Sequence, residues 1–265
     1  MKNYKIGAAT FLSVALLTLA TSCGDDEEVK TNDGGSRTEL SVNGKYLVRV
    51  NSFKLEYNAQ GLLGKIKWDV NGGYAEMGIS YEPKRIITSN PDVIYYLEGG
   101  RITEASYSVQ TSMENDAPII DAKDTYEYDN DGYLIKAIKP YDFAEEGPYM
   151  ETTVYEWRNG NINRITRSHY DFQEEVTISY TAYPNTIPDL TQGFIGNYLA
   201  WEGYFGNRCK NLPESETWHS ENYFPDKTIT YHYDYTFEDG VVTKVTVSWT
   251  SGGKPSSMVH ELKWY

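Results

Sequence analysis

One local pattern constrains this chain more than any other. An aromatic strand end runs into a polar turn closed by glycine, and an apolar strand returns. The pattern occurs four times. Phe53-Lys54-Leu55-Glu56-Tyr57 leads through Asn58-Ala59-Gln60-Gly61 into Leu62–Trp68. Tyr126-Glu127-Tyr128 leads through Asp129-Asn130-Asp131-Gly132 into Tyr133–Ile138. Val154-Tyr155-Glu156-Trp157 leads through Arg158-Asn159-Gly160 into Asn161–Ile165, and Tyr233–Phe237 leads through Glu238-Asp239-Gly240 into Val241–Val245. Glycine supplies the positive φ that tight hairpins need, and Asn-Gly and Asp-Gly are the strongest such signals. A unit repeated this often predicts a repetitive β architecture.

Period-2 alternation elsewhere adds strands at Tyr46–Val50, Tyr74–Tyr81, Val93–Leu97, Arg101–Thr111, Glu175–Tyr180, Thr228–Tyr231 and Met258–Trp264. Glu98-Gly99-Gly100-Arg101 reads as one more hairpin. The expectation is an all-β antiparallel meander of about 12–15 strands. So many strands twist, and they curl into a barrel or half-barrel or fold into two layers. The stretch Pro184–Pro213 breaks the pattern. Leu190, Phe194, Tyr198 and Trp201 recur at helical spacing, which predicts one short helical insert near 190–202 covering an end or face of the sheet.

The N-terminus reads as an address. Lys2 and Lys5 precede an apolar stretch from Ile6 to Ala20, too short to span a bilayer and of signal-peptide length. Leu19-Ala20-Thr21-Ser22-Cys23 resembles a bacterial lipobox, in which the cysteine is acylated and becomes the new N-terminus. The expected division is a lipoprotein signal peptide over 1–22, an acidic flexible tether over 23–44 and a single β-meander domain over 45–265. Some 20 flexible residues span roughly 25 Å, enough to hold a domain just off a membrane. Gly24-Asp25-Asp26-Glu27-Glu28 resembles the acidic export signal that sends Bacteroidetes lipoproteins to the cell surface. The expected location is therefore the outer membrane, lipid-anchored and exposed at the cell surface, with the anchor as the membrane contact.

Composition narrows the function. The leader carries two lysines and no acid, so its removal takes the formal charge from −14 to −16. Nucleic-acid binders neutralise phosphates with basic patches, so a nucleic-acid partner is not expected. With Cys23 acylated, Cys209 has no disulfide partner within the chain, and two cysteines do not make a structural zinc site. There is no Gly-rich phosphate loop, no His-Glu-x-x-His and no Gly-x-Ser-x-Gly. Asp129–Gly132 opens like a calcium loop, but Ile138 stands where the closing Glu belongs. His232 and Asp234 share a strand face opposite Tyr231, Tyr233 and Tyr235, the arrangement of a polar surface backing an aromatic core. Glu174 and Glu175 point to opposite faces and cannot act together. No catalytic residue, metal site or cofactor is expected.

The 38 aromatic residues remain. Most must fill the core, with cross-strand pairs each adding roughly 0.2–1 kcal/mol. Trp201, Tyr204, Phe205 and Trp218 cluster around the irregular insert and are the candidate ligand contacts.

The lipobox, the acidic run, the tyrosine-and-glycine hairpins and the stretch Gly203-Tyr204-Phe205-Gly206-Asn207-Arg208-Cys209-Lys210-Asn211-Leu212-Pro213 together resemble a Bacteroidetes lipoprotein domain family of unknown function. The similarity covers roughly residues 45–265. It implies a porin-like β fold and transfers no site residue. The last strand argues that this likeness is one of shape. Counting back from Tyr265, one face carries Lys263 and Glu261, and the other carries His260. Charges on a lipid-facing strand are costly. The expected function is a surface-anchored, non-catalytic binding or interaction module for a glycan, another small ligand or a protein. The alternatives are a structural or adhesion lipoprotein and a hydrolase.

Overall fold

The computed structural model describes residues 41–70, 73–89, 92–110, 119–144, 147–169, 172–188, 198–220 and 227–265. The leader, Cys23 and the tether up to residue 40 lie outside the described residues. Seventeen strands follow one another: β1 (Ser41–Val42), β2 (Lys45–Val50), β3 (Phe53–Tyr57), β4 (Leu63–Val70), β5 (Gly73–Glu82), β6 (Arg85–Thr88), β7 (Val93–Glu98), β8 (Arg101–Gln110) and β9 (Ile119–Tyr128) form the first part. Then come β10 (Leu134–Ala144), β11 (Gly147–Arg158), β12 (Asn161–His169), β13 (Phe172–Pro184), the short helix α1 (Tyr198–Trp201), β14 (Asn211–Ser220), β15 (Thr228–Glu238), β16 (Val241–Ser251) and β17 (Lys254–Trp264).

From β2 onward each strand pairs antiparallel with its successor. β17 then pairs with β2 through Leu262↔Val50 and Trp264↔Leu47. The meander therefore closes into a 16-strand barrel, and β1 is a short flap on β2. Pairing begins at Ser41, four residues before the expected start of the domain. Of the expected helical insert, Tyr198–Trp201 is helical, and residues 189–197 lie outside the described residues.

The strand ends form two rims. The turns at 58–62, 99–100, 129–133, 159–160 and 239–240 lie on one rim, together with the long β13–β14 connection. At Asn159-Gly160 both residues have positive φ, 54° and 79°, the hand that a two-residue hairpin requires. Five hairpins on this rim also carry a register shift just before the turn, at Glu56/Tyr57, Tyr96/Leu97, Leu134/Lys136, Glu156/Trp157 and Thr236/Phe237. Such bulges add a residue to one strand and turn a carbonyl out of the ladder.

The aromatic strand ends answer those carbonyls. Tyr57, Tyr81, Tyr128, Trp157, Tyr180, Tyr235 and Trp264 each place a hydroxyl or indole N–H 2.6–2.8 Å from a carbonyl of the preceding strand. The acceptors are Leu47, Leu63, Ile102, Leu134, Ile162, Pro213 and Val242, and each of them flanks a register shift. A buried carbonyl left without a donor is costly. The repeated tyrosines and tryptophans are thus latches that tie neighbouring hairpins together around one rim.

Strand height differs around the barrel. β2, β3, β6 and β7 have four to six residues, whereas β9 to β17 have nine to thirteen. Inward positions form one continuous core that includes Leu47, Leu55, Ile66, Ile86, Ile165, Val176, Val245 and Leu262. Sixteen strands enclose more space than wall side chains fill, which is why barrels of this size can hold channels. Here the insert supplies the missing volume at one rim.

Candidate functional site

The insert closes the bulged rim like a stopper. Leu199, Trp201, Tyr204 and Phe205 point into the barrel and are all buried. Phe205 meets Tyr126 edge-on at 4.9 Å between ring centres, and Tyr204 lies 5.8 Å from Tyr81. The backbone is stitched to the rim at three points. Ile102 N–H donates to the Tyr204 carbonyl (2.8 Å), Asn207 N–H to Gly132 (2.9 Å) and Lys210 N–H to Gly160 (3.0 Å). Glu202, also buried, accepts hydrogen bonds from the Leu63 N–H at 2.6 Å and from the Tyr81 hydroxyl. Gly206 has φ +84°, and a Cβ there would stand 2.4 Å from the Gly132 carbonyl oxygen, so only glycine fits.

Three of the four residues expected to touch ligand are therefore stopper core. Their rings face other rings, because a chain that must plug a wide barrel spends its largest apolar side chains on filling it. A small cavity of about 50 Å³ lies beside the stopper, lined by Trp157, Trp201, Phe205, Asn185, Arg208 and Cys209 among others. It is too small for a drug-sized ligand. The Cys209 thiol lies 3.3 Å from the Tyr180 hydroxyl and accepts the Ile162 N–H at 3.5 Å.

Trp218 is placed elsewhere. It points inward from β14 toward the opposite rim, roughly 20 Å along the strand from Leu212. Trp218 belongs to a row of polar and aromatic groups on the inner face of the tall wall. Arg167 lies over its ring, 5.1 Å from the centre, and donates to Glu174 at 2.9 Å. The Trp218 indole N–H donates to Glu216 at 3.0 Å, and Tyr231 packs edge-on to it and against Trp249. Register aligns the row: Thr153↔Arg167, Arg167↔Glu174 and Glu174↔Ser220. Further round, Lys139 stands opposite Glu151. Asp124 accepts hydrogen bonds from Tyr107 (2.9 Å) and Tyr126 (3.1 Å).

This face is accessible in part: Trp218, Tyr231, Asp124 and Glu174 are buried, and their neighbours less so. Tyr107, Glu151, Arg167 and Trp249 are half-buried, and Lys139 and Met258 are exposed although they point inward. Burial pushes the Asp124 carboxyl up, against the pull of Lys139 and the two tyrosine hydroxyls. Burial likewise pushes Glu174 up, against Arg167. Burial and the Asp124 charge raise Tyr95 to about 12, so its hydroxyl stays a donor. The arrangement offers fixed charges of both signs between aromatic faces, suited to holding a polar molecule.

Sequence reasoning passed over Asp124, Lys139, Glu151 and Arg167, and weighed Glu174 only as a partner of Glu175. The signal was present: each occupies the inward phase of its strand, as in Ala122-x-Asp124-x-Tyr126 and Glu174-x-Val176-x-Ile178. Glu174 and Glu175 do point to opposite faces, Glu174 to Arg167 inside and Glu175 to Arg164 outside. His232 and Asp234 lie on the exposed face of β15, behind buried Tyr231 and Tyr233.

The outer wall is charged. Lys65–Glu76 (3.2 Å), Lys67–Glu56 (3.0 Å), Lys123–Glu104 (2.8 Å) and Lys136–Glu127 (2.9 Å) bridge its strands. In lipid each such charge at mid-depth would cost about 2–4 kcal/mol. Among the described residues, no helix is long and apolar enough to cross a membrane, and no three His, Cys, Asp or Glu side chains converge as metal ligands.

Solved structures share this fold. A porin-like protein from Bacteroides uniformis ATCC 8492 superposes with a TM-score of 0.57 at 15% identity, over 80% of this chain and 89% of that one. A porin-like protein from Bacteroides vulgatus ATCC 8482 gives 0.57 at 14% identity, over 82% of this chain and 98% of that one. No family model and no curated protein matches the chain. The likeness is one of fold: a porin-like barrel.

Proposed function

We propose that this protein is an outer-membrane lipoprotein of the cell surface, acylated at Cys23. Its barrel stands in water at the end of the 23–44 tether and binds a small polar ligand, of the glycan class, without catalysis. The observation that carries this reading is the contrast between the two faces of the tall wall. Its outside is tiled with ion pairs that suit water and not lipid. Its inside presents Trp218, Tyr231 and Trp249 beside Arg167, Glu174 and Glu151, with the stopper at one rim and inward side chains such as Met258 exposed toward the other. Aromatic faces flanked by fixed polar groups are the usual furniture of a small-molecule site.

Two measurements test it. Protease shaving of intact cells, with mass spectrometry of the N-terminal peptide, should release the barrel and find a lipid on Cys23. A chain protected from protease overturns the surface location. Calorimetric titration of the mature chain with a panel of neutral and acidic oligosaccharides should find a binder. Trp218→Ala should abolish that binding, and Lys65→Ala on the outer wall should leave it unchanged. A panel without a binder, alongside capture of a specific envelope or host protein, would replace the small-ligand reading with an adhesion one.

A further inference from the structure

The barrel closes where β17 meets β2, and the turn after β2 finishes the seam. Asn51 has φ +52° and extends the ladder with its side chain as well as its backbone. Its N–H donates to the Glu261 carbonyl at 2.8 Å, and its side-chain Oδ1 accepts the Glu261 N–H at 2.9 Å. The carboxamide can therefore point only one way, and its NH₂ group lies 2.9 Å from His260 Nδ1. A donor faces Nδ1, so Nδ1 is the acceptor and the ring proton sits on Nε2.

That proton has nowhere to go. His260 is 7% exposed, and Nε2 is buried without a hydrogen-bond partner among the described residues. It shares the inward face of β17 with Leu262. Trp68, inward on β4, presents the same anomaly: its indole Nε1–H is buried with no partner. A buried donor without an acceptor is destabilising and calls for an explanation. Two of them stand on the low side of one barrel, and Phe53, on a strand between theirs, packs 6.0 Å from Trp68.

The surroundings define what would fit. The inward neighbours on β16, β17 and β2 to β4 are Val245, Val247, Trp249, Val50, Leu55 and Ile66, and none is charged. The charges of these strands, such as Lys54, Lys67 and Glu261, occupy the outward phase. An ionic ligand would find no counter-charge here. The two donors are three strand spacings apart, about 14 Å along the wall, too far for one acceptor atom. Met258, the next inward residue toward the open rim, is 39% exposed and flexible enough to move aside.

We propose that His260 Nε2–H and Trp68 Nε1–H are ligand-facing donors of a neutral subsite, which takes an uncharged oligosaccharide through its hydroxyl or ring oxygens. This inference rests on the small-ligand reading above and places its uncharged end on the seam side of the barrel. Asn51 is a positioning residue that fixes the tautomer.

The test uses the full mature chain with Cys23→Ser, to keep it in solution, and ¹⁵N-resolved spectra of the imidazole and indole N–H groups. The probes are maltotriose, cellotriose, xylotriose and mannotriose, with trigalacturonate as the charged control. One neutral probe is expected to shift the His260 Nε2–H and Trp68 Nε1–H resonances together and saturably, while trigalacturonate shifts neither. Asn51→Asp retains an acceptor for the Glu261 N–H but offers a second acceptor to Nδ1. At about pH 9, well above the ordinary imidazole value of ~6.5, it moves the proton to Nδ1 and leaves Nε2 a bare lone pair. Asn51→Asp and Trp68→Phe should each weaken binding about tenfold, with an unchanged melting temperature. Contacts of both N–H groups to bound water alone, unmoved by every probe, would overturn the proposal. Binding that shifts only the Arg167 and Trp218 resonances, and survives Asn51→Asp, would overturn it while leaving the proposed function intact. Absence of any binding would remove both.

Discussion

The two rims of this barrel are made by the same strands and solve opposite problems. At the stoppered rim the strands end in glycine turns and bulges, and the aromatic tips are spent on backbone carbonyls. Tyr128 serves Ile102, and Trp157 serves Leu134. Below the stopper the aromatic tips and charges serve one another: Tyr107 and Tyr126 hold Asp124 midway along the wall, and nearer the other rim Arg167 holds Glu174 beneath Trp218. A hydroxyl committed to a carbonyl is part of the scaffold. A hydroxyl committed to a buried inner-wall carboxylate answers a charge that a ligand hydroxyl could answer in its place. One residue type thus builds structure at one end and a candidate site at the other, and the difference lies in what the tip reaches.

The comparison can be broken most directly at Trp201. Trp201→Ala removes a fully packed stopper ring and should cost about 3–5 kcal/mol in denaturant unfolding. A cost below about 1 kcal/mol would mean that the stopper is not core. Next comes the latch. Tyr128→Phe keeps the ring but strands the Ile102 carbonyl, with an expected cost of about 1–3 kcal/mol. The same change at Tyr74, 82% exposed on the outer wall, should be silent. Equal effects at the two sites would dissolve the distinction between scaffold and surface tyrosines.

Titration sharpens the comparison at smaller amplitude. Asp124 is held above its ordinary value, so the folded chain binds the proton more tightly than the unfolded one. Its contribution to stability is present at low pH and is lost as pH rises through the raised value. His260 is held low by burial, with the opposite sign: stability is lost as pH falls below the ordinary imidazole range. Melting curves across pH should show Asp124→Asn flattening the first dependence and His260→Phe the second. A swap of these assignments would refute the burial argument for both. The smallest effect belongs to the outer wall, where Lys65→Ala should cost about 0.2–1 kcal/mol and less in high salt.

Much of this was legible residue by residue. The Asn159-Gly160 and Asp239-Gly240 turns lie where the glycine signal puts them, and the inward phase of β15 carries the expected tyrosines. Three strands escaped notice. β1 is two residues within the expected tether, β6 is four residues long, and β14 reads Asn-Leu-Pro-Glu-Ser-Glu-Thr-Trp-His-Ser, where a proline and the inward acid Glu216 mask the alternation. The bulges were invisible as well, because a bulge looks like a fault in the alternation until its partner strand is seen. Trp201, Tyr204, Phe205 and Trp218 were rightly singled out as unusual, but their proximity in the chain suggested one cluster. The fold separates Trp218 from the other three by most of a strand length.

The sequence by itself determined the ladder. Nearly every pairing joins neighbours in the chain, and turn chemistry with period-2 alternation is local information. It also determined which face of each strand turns inward, since a one-residue slip would expose the whole apolar set. Only the tertiary structure decided that the sheet closes, because closure rests on the single long-range seam of β17 on β2, completed by Asn51. Closure in turn decided what the insert does. An open sheet would have left its rings on a surface, where they could meet a ligand. A closed barrel of sixteen strands leaves a void that those rings are required to fill.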